Sequence, residues 1–80
     1  YTIEAKSSKK KRIYISNAQI EDFMLFSSMI GLKAVIAVRF NREGWLFLEP
    51  RYLKDSGKNW VVSLEQAKEK GKRFGQFFEN

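Results

Sequence analysis

The segment AVIAV at residues 34–38 is an unbroken run of small and β-branched apolar residues, bounded by Lys33 and Arg39. Such a run is typical of a strand buried on both faces, because a strand with one wet face alternates apolar and polar residues. NREG at residues 41–44 has the length of a hairpin loop, and WLFL at residues 45–48 is a second apolar run. We therefore predict an antiparallel hairpin at the centre of the fold.

Further strands and two helices extend outward from this hairpin. Ser16 and Gln19 fit a capping box and Gly31 is a C-terminal signal, so the first helix should run from Ser16 to about Ile30. A second capping box opens a C-terminal helix that we expect to break near Gly71. Apolar and polar residues alternate at residues 1–6, which predicts an N-terminal strand, and the short apolar run at residues 60–62 predicts another strand before the second helix. The succession predicts an α/β fold with a mixed central sheet flanked by helices.

The composition is that of a small, basic, folded domain. Its 80 residues allow a single domain, and 15 Lys+Arg against 9 Asp+Glu give a net charge of +6. Nucleic acid is therefore the first expected partner and an anionic membrane surface the second. The absence of Cys and His excludes disulfides, thiol nucleophiles, zinc fingers and Ser-His-Asp triads within the chain and favours an intracellular origin. No apolar run approaches the roughly 20 residues of a membrane span.

The candidate catalytic group is the strand segment that contains Glu4, Ala5 and Lys6. Strand alternation places Glu4 and Lys6 on one face, about 6.6 Å apart along the strand. The Glu4 carboxylate and the Ala5 carbonyl can hold a hard divalent cation, Mg²⁺ or Mn²⁺, and the Lys6 ammonium can stabilise charge at a phosphorus atom. An ordinary ion pair between Glu4 and Lys6 is the alternative.

A basic run follows this strand directly. Residues 7–12 predict a solvated loop, and the nearby Tyr14 is the candidate DNA-facing aromatic residue. The loop is expected to grip phosphates, although a solvated loop without a partner is the alternative. The candidate phosphate contacts are Lys9, Lys10, Lys11 and Arg12.

The first helix has more apolar surface than one sheet face can cover. Ile20, Phe23 and Met24 form one stripe, and further apolar residues lie away from it. We also expect only one face of the outer hairpin strand to enter so small a core, which leaves either Trp45 and Phe47 or, alternatively, Leu46 and Leu48 as surplus. This surplus predicts a two-fold dimer, with cover by a preceding segment of the same chain as the alternative. The predicted dimer interface consists of Leu25, Phe26, Met29, Trp45 and Phe47.

The order of these elements resembles a known nuclease family. The resemblance rests on IEAKSS at residues 3–8, IYI at 13–15, the helix that ends at Gly31, VIAVRF at 35–40 and GWLF at 44–47. Over about residues 1–65, this succession is similar to the archaeal Holliday junction resolvases of Hjc type, which belong to the PD-(D/E)xK nuclease superfamily.

The resemblance implies a restriction-endonuclease-like core and a homodimer that cleaves four-way DNA junctions with a divalent metal, in the cytoplasm at the nucleoid. It assigns Glu4 and Lys6 to the E-x-K motif of the family. The family also needs a Glu and an Asp upstream of that motif, which residues 1–80 do not contain. The resemblance therefore implies the C-terminal part of a resolvase-type nuclease domain, incomplete at its N-terminus. A non-catalytic basic nucleic-acid-binding module is the alternative, and a peripheral membrane protein is a second one.

Overall fold

Six strands and three α-helices lie along residues 1–79, which are the residues that the computed structural model describes. The strands are β1 (Thr2–Ser8), β2 (Arg12–Ser16), β3 (Ala34–Phe40), β4 (Trp45–Leu48), β5 (Lys54–Asp55) and β6 (Asn59–Ser63). The helices are α1 (Asn17–Met29), α2 (Leu64–Lys70) and α3 (Phe74–Phe78), with a 3₁₀ turn at Pro50–Tyr52. None of the helices in this range has the length and apolar character needed to cross a membrane.

The first sheet is mixed and has the strand order β1-β3-β4. β1 runs parallel to β3, with Thr2 opposite Ala34 and Ser8 opposite Phe40, whereas β3 and β4 form the predicted antiparallel hairpin. Parallel neighbours need a crossover connection, and β2 with α1 supplies it here. The predicted α/β fold with a mixed sheet flanked by helices is confirmed.

β2, β6 and β5 form a second sheet, antiparallel throughout, which the sequence did not separate from the first. Arg12 pairs with Ser63 and Ser16 with Asn59, so β2 extends beyond the apolar triplet at residues 13–15. These partners are distant in the chain, and their pairing depends on tertiary packing rather than on a local pattern. β5 has only 2 residues and therefore shows no strand periodicity in the sequence.

The hydrophobic core lies between the two sheets and is closed by α1 and α2. Ile36 and Val38 of β3 belong to it and are 0% exposed, together with buried side chains of β2, β4 and β6. Because side chains alternate along a strand, Val35 and Ala37 face the other side of the first sheet, where they are 1% and 3% exposed. The prediction that the run at residues 34–38 is covered on both faces is confirmed.

α1 begins and ends where the sequence predicts. The Ser16 hydroxyl accepts a hydrogen bond from the Gln19 backbone N–H at 3.2 Å, and the Gln19 side chain accepts one from the Ser16 N–H at 3.3 Å. Both halves of the capping box are therefore present. Gly31 follows the helix with φ of 71°, a left-handed conformation that a glycine adopts without steric strain.

The C-terminal helix breaks at Gly71, as expected, and the break creates a contact that the sequence did not reveal. Lys72 exchanges two backbone hydrogen bonds of 2.8 Å with Phe47 of β4. The following α3 then places Phe74 and Phe78 against the Phe47 ring, at centroid distances of 5.7 Å and 5.3 Å. Only one face of β4 enters the core, as expected, through Leu46 and Leu48, but Phe47 on the other face is not left free because α3 packs against it.

Candidate nucleic-acid interface

β1 carries Glu4 and Lys6 on the core-facing side of the first sheet. Their register partners in β3 are Ile36 and Val38, and paired residues of neighbouring strands point to the same side. Both side chains are half-buried, whereas Ala5 between them is exposed on the opposite side. The two predicted catalytic side chains thus share one face of an edge strand, and they do not form an ion pair with each other in the described part of the chain.

Lys6 lines a groove between the end of β1 and the start of β2, which we call the β1–β2 groove. Its volume is about 930 Å³, and the start of α2 forms part of its wall. Glu65 is the one acidic residue along its lining. The basic and aromatic residues that line the groove are Lys6, Lys10, Lys11, Arg12 and Tyr14.

The basic loop is shorter than the sequence predicted. Ser7 and Ser8 continue β1 because β3 pairs with them, and Arg12 already belongs to β2 because it pairs with Ser63. Only residues 9–11 connect the two strands. This short connection holds the cations close to the sheet edge rather than on a long solvated loop.

Tyr14 lies on the solvent face of β2 and is 55% exposed. Its neighbours Ile13 and Ile15 point into the core, so strand alternation turns the Tyr14 ring outward, onto the lining of the β1–β2 groove. An exposed tyrosine beside several cations is suited to stacking against a base.

A second basic groove lies beside the β3–β4 turn, and we call it the hairpin groove. It has a volume of about 470 Å³. It receives Lys9, which the sequence grouped with the neighbouring cations, and it adds Arg39 and Arg42, which the sequence analysis missed. The available signal was the pair of arginines around the hairpin turn, but only the parallel register of β1 with β3 brings Lys9 to them.

The basic residues of both grooves are unpaired in the described part of the chain. The ion pairs found there join Arg51 to Glu49, Lys68 to Glu43, and Lys70 to its neighbour in α2. The Lys68 ammonium hydrogen-bonds the Glu43 carboxylate and holds the pKa of that carboxyl below its ordinary value of 4.5. Glu43 lines the hairpin groove. Because it is paired with Lys68, its negative charge does not offset the basic residues of that groove.

The acidic residues that the structure describes do not make a metal site by themselves. Residues 1–79 contain no group of three or more Asp, Glu, His or Cys side chains placed to hold a metal ion. Glu4 is a lone carboxylate on β1, and the Ala5 carbonyl beside it is the other oxygen ligand that the sequence predicted. Mg²⁺ is usually held by one or two carboxylates with waters and substrate phosphates, so Glu4 accounts for part of such a site only.

The outer face of α1 is an exposed apolar surface, which we call the α1 face. Leu25 is 61% exposed, Phe26 56% and Met29 76%, whereas the opposite side of the helix buries Ile20 and Ser27. Of the other predicted interface residues, Trp45 is 39% exposed, and the Arg39 guanidinium lies over its ring. The Phe47 ring packs against α3. Phe47 is thus partly covered within the chain, and the interface through the other four residues stays a prediction.

The chain is similar to known proteins along almost its whole length. A family model described as archaeal Holliday junction resolvase (Hjc) matches residues 1–79, which extends beyond the 65 residues that carried the resemblance in the sequence. A crossover junction endodeoxyribonuclease Hjc of Methanocaldococcus jannaschii is 41% identical over 59 residues, covering 74% of this chain and 44% of that protein. One of Archaeoglobus fulgidus is 29% identical over 83 residues, covering 95% and 61%. The chain thus spans about half the length of these curated relatives.

The fold has a close counterpart among solved structures. The structure of Archaeoglobus fulgidus Hjc, described as a Holliday junction resolvase from an archaeal hyperthermophile, superimposes with a TM-score of 0.83 at 24% identity, covering 92% of this chain and 60% of that one. With the family match over residues 1–79, the chain belongs to the archaeal Holliday junction resolvase (Hjc) family.

Proposed function

We propose that the protein is a structure-selective endonuclease that resolves four-way DNA junctions by hydrolysing phosphodiester bonds. The observation that carries the proposal is the β1–β2 groove, where Lys6 of the E-x-K strand lines the same cavity as Lys10, Lys11 and Arg12. Cations of this kind position a DNA backbone without reading its bases, which suits recognition by shape. The names of both curated relatives support the same activity.

Glu4, Lys6 and the groove cations have separate roles in this proposal. Lys10, Lys11 and Arg12 bind phosphates on the approach to the scissile bond, and Tyr14 packs against an unstacked base at the branch point. Lys6 stabilises the negative charge that develops on the phosphoryl oxygens in the transition state. Glu4 lies on the same face of β1 as Lys6 but outside the lining of the groove, and its proposed role is to act with Lys6 at the scissile phosphate.

A divalent cation, Mg²⁺ or Mn²⁺, is part of the proposal. Glu4 and the Ala5 carbonyl offer hard oxygen ligands of the kind that both ions prefer. The described residues hold too few acidic groups for the whole site, so the remaining ligands come from outside residues 1–79. We accordingly propose that residues 1–80 are the C-terminal part of a resolvase-type nuclease domain and that the enzyme works on chromosomal DNA in the cytoplasm.

The same chain is proposed to form a two-fold homodimer through the α1 face. Leu25, Phe26 and Met29 are all more than half exposed, and soluble monomers rarely leave a large contiguous apolar patch in water. Two-fold dimers are the commonest closed oligomers. A dimer also presents two active sites to the two symmetric strands that must be cut in a four-way junction.

Sedimentation equilibrium of the full-length protein tests the dimer. We expect the wild type to be a dimer at micromolar concentration and the variant Phe26→Glu, Met29→Glu to be a monomer, because burying two carboxylates in an apolar interface is unfavourable. Glu21→Gln on the same helix is the control and should remain dimeric. A monomeric wild type or a fully dimeric double variant overturns the interface.

Salt-dependent binding and cleavage of a four-way junction by the full-length protein test the nuclease function. The variant Lys10→Gln, Lys11→Gln, Arg12→Gln should lower the slope of log K against log salt by about 2.7, since each lost phosphate contact removes about 0.9. The control Lys33→Gln, Arg51→Gln, Lys58→Gln removes three cations outside both grooves and should leave the slope unchanged. Junction binding without cleavage in Mg²⁺ or Mn²⁺ would favour the non-catalytic binding module, which the incomplete metal site also suggests.

A further inference from the structure

The hairpin groove is a second cluster of unpaired cations, separate from the groove that holds Lys6. Lys9, Arg39 and Arg42 line it, and none of them takes part in the ion pairs found among residues 1–79. Its one acidic residue, Glu43, is held 2.6 Å from the Lys68 ammonium. The groove therefore has a net positive lining, and the hydroxyls of two serines add hydrogen-bond donors.

The turn that carries Arg42 is fixed from the C-terminal side of the chain. Lys68 of α2 holds Glu43, and the Arg73 guanidinium donates a hydrogen bond of 3.2 Å to the Trp45 carbonyl. Arg73 passes so close to Gly44 that a Cβ there would lie 2.8 Å from its Nη1 atom. Arg42 itself has φ of 64°, a left-handed conformation that is uncommon outside glycine. The backbone of the turn that carries Arg42 is thus held at two points.

The two grooves meet at the end of β1. Ser7 and Ser8 line both of them. Lys6 shares its side of the sheet with the buried Val38, whereas Ser7 pairs with Arg39 and both therefore point to the other side. The Arg39 guanidinium lies over the Trp45 ring at 5.7 Å, on that same outer side. Lys6 of the one groove and Arg39 of the other therefore point to opposite sides of the sheet.

We propose that the hairpin groove binds the phosphate backbone of a second arm of a branched DNA. This inference rests on the proposed function and adds a second contact surface to it. Arg39 and Arg42 carry planar guanidinium groups that donate two hydrogen bonds to one phosphate, and Lys9 contributes a point charge. In this arrangement, two arms that leave a branch point on either side of β1 fill the two grooves at once.

Salt-dependent binding by the full-length protein, measured on a four-way junction and on a linear duplex of the same sequence, tests this inference. The variant Arg39→Gln, Arg42→Asn should bind the junction more weakly, with the slope of log K against log salt reduced by about 1.8 for two lost contacts. Its slope on the linear duplex should equal that of the wild type. Asn is chosen at position 42 because it tolerates the left-handed conformation.

Arg42→Asn alone guards against a folding defect, since Arg39 packs on Trp45 and Arg42 has no ion pair in the described part of the chain. It should reduce the junction slope by about 0.9 and leave thermal unfolding unchanged. The control Lys33→Gln, Lys58→Gln removes two cations away from both grooves and should change neither slope.

Three outcomes overturn the inference. An unchanged junction slope in both variants means that the hairpin groove does not contact DNA. An equal loss on junction and linear duplex means that it contacts a single duplex rather than a second arm. A wild-type protein that neither prefers nor cleaves the junction overturns the proposed function as well, which separates that failure from the first two.

Discussion

β1 and β3 are neighbours in one sheet and are paired residue by residue, yet they differ in burial and in the polarity of the side chains on their core-facing side. Glu4 of β1 lies opposite Ile36 of β3, and Lys6 lies opposite Val38. The two β3 residues are 0% exposed in the core, whereas the two β1 residues are half-buried and charged. The same backbone register thus supports a packing role in one strand and the proposed chemical role in the other.

The difference comes from what surrounds each strand. β3 lies between β1 and β4, with the second sheet on one face and α3 packed over the neighbouring β4 on the other. Among residues 1–79, β1 has a partner on one side only, and Ile3 on its outer face is 49% exposed. A strand covered on four sides has no room for charge, whereas an edge strand can carry charged groups that remain within reach of a ligand.

The largest expected effect is on catalysis and comes from Glu4→Gln in the full-length protein. Removing a charge that acts directly at the reacting phosphate should lower junction cleavage by about 1,000-fold. Junction affinity should stay within about twofold of wild type, because the cations that bind phosphate are retained. Single-turnover cleavage and a gel-shift titration measure the two quantities.

Glu49→Gln is a suitable control for this variant, because it removes a carboxylate that is paired with Arg51 and lies off β1 and outside both grooves. It should cleave at the wild-type rate. Full cleavage by Glu4→Gln would refute the assignment of the catalytic site to β1.

The next effect in size is on stability and compares two isoleucines of the same sheet. Ile36→Ala should lower the free energy of unfolding by about 3 kcal/mol, because it removes a buried side chain and leaves a cavity. That is more than a hundredfold in the folding equilibrium. Ile3→Ala on β1 makes the same chemical change at a position 49% exposed and should lower it by less than about 1 kcal/mol.

Urea denaturation of the full-length protein measures both values. Equal losses in the two variants would mean that β1 is covered as completely as β3 in the full-length protein or in its dimer. In that case the contrast between the two strands would be a property of residues 1–79 only.

Local sequence signals predicted the parts of the fold that local physics determines. The continuous apolar run of β3, the capping box at Ser16 and the weak point at Gly71 each specify the conformation of their own segment, and each is confirmed. The exposed Leu25 and Phe26 of α1 were also expected, because a helix that is apolar on several sides exceeds what one sheet can cover.

The features that the sequence did not reveal all depend on pairing between distant segments. The second sheet joins β2 to β6, and the cover over Phe47 comes from α3. The hairpin groove exists because parallel pairing brings Lys9 beside Arg39 and Arg42. No short window of sequence contains both halves of any of these contacts, so propensity and periodicity could not predict them.

Lys6→Met tests the second proposed catalytic residue of β1, and its expected effect on cleavage is smaller than that of Glu4→Gln. Methionine keeps the length of the aliphatic stem and removes the ammonium, so cleavage should fall by about 100-fold while unfolding stays close to wild type. Lys6→Arg keeps the positive charge and should retain more activity than Lys6→Met. Equal activity of Lys6→Met and wild type would show that the charge is not needed at the transition state.

The smallest effect concerns the turn that follows β3, where Lys68 lowers the pKa of the Glu43 carboxyl. Because this pKa is lower in the folded protein than the ordinary value of 4.5, the ion pair stabilises the fold above that pH. The stabilisation is lost as pH falls through the folded-state pKa, since protonated Glu43 no longer attracts Lys68. Wild type should therefore be slightly more stable than Glu43→Gln at pH 7, and the difference should vanish in acid. Glu21→Gln, at an exposed position of α1, corrects for the loss of one negative charge. A wild-type advantage that persists at pH 2 would mean that Glu43 stabilises the turn through something other than its charge.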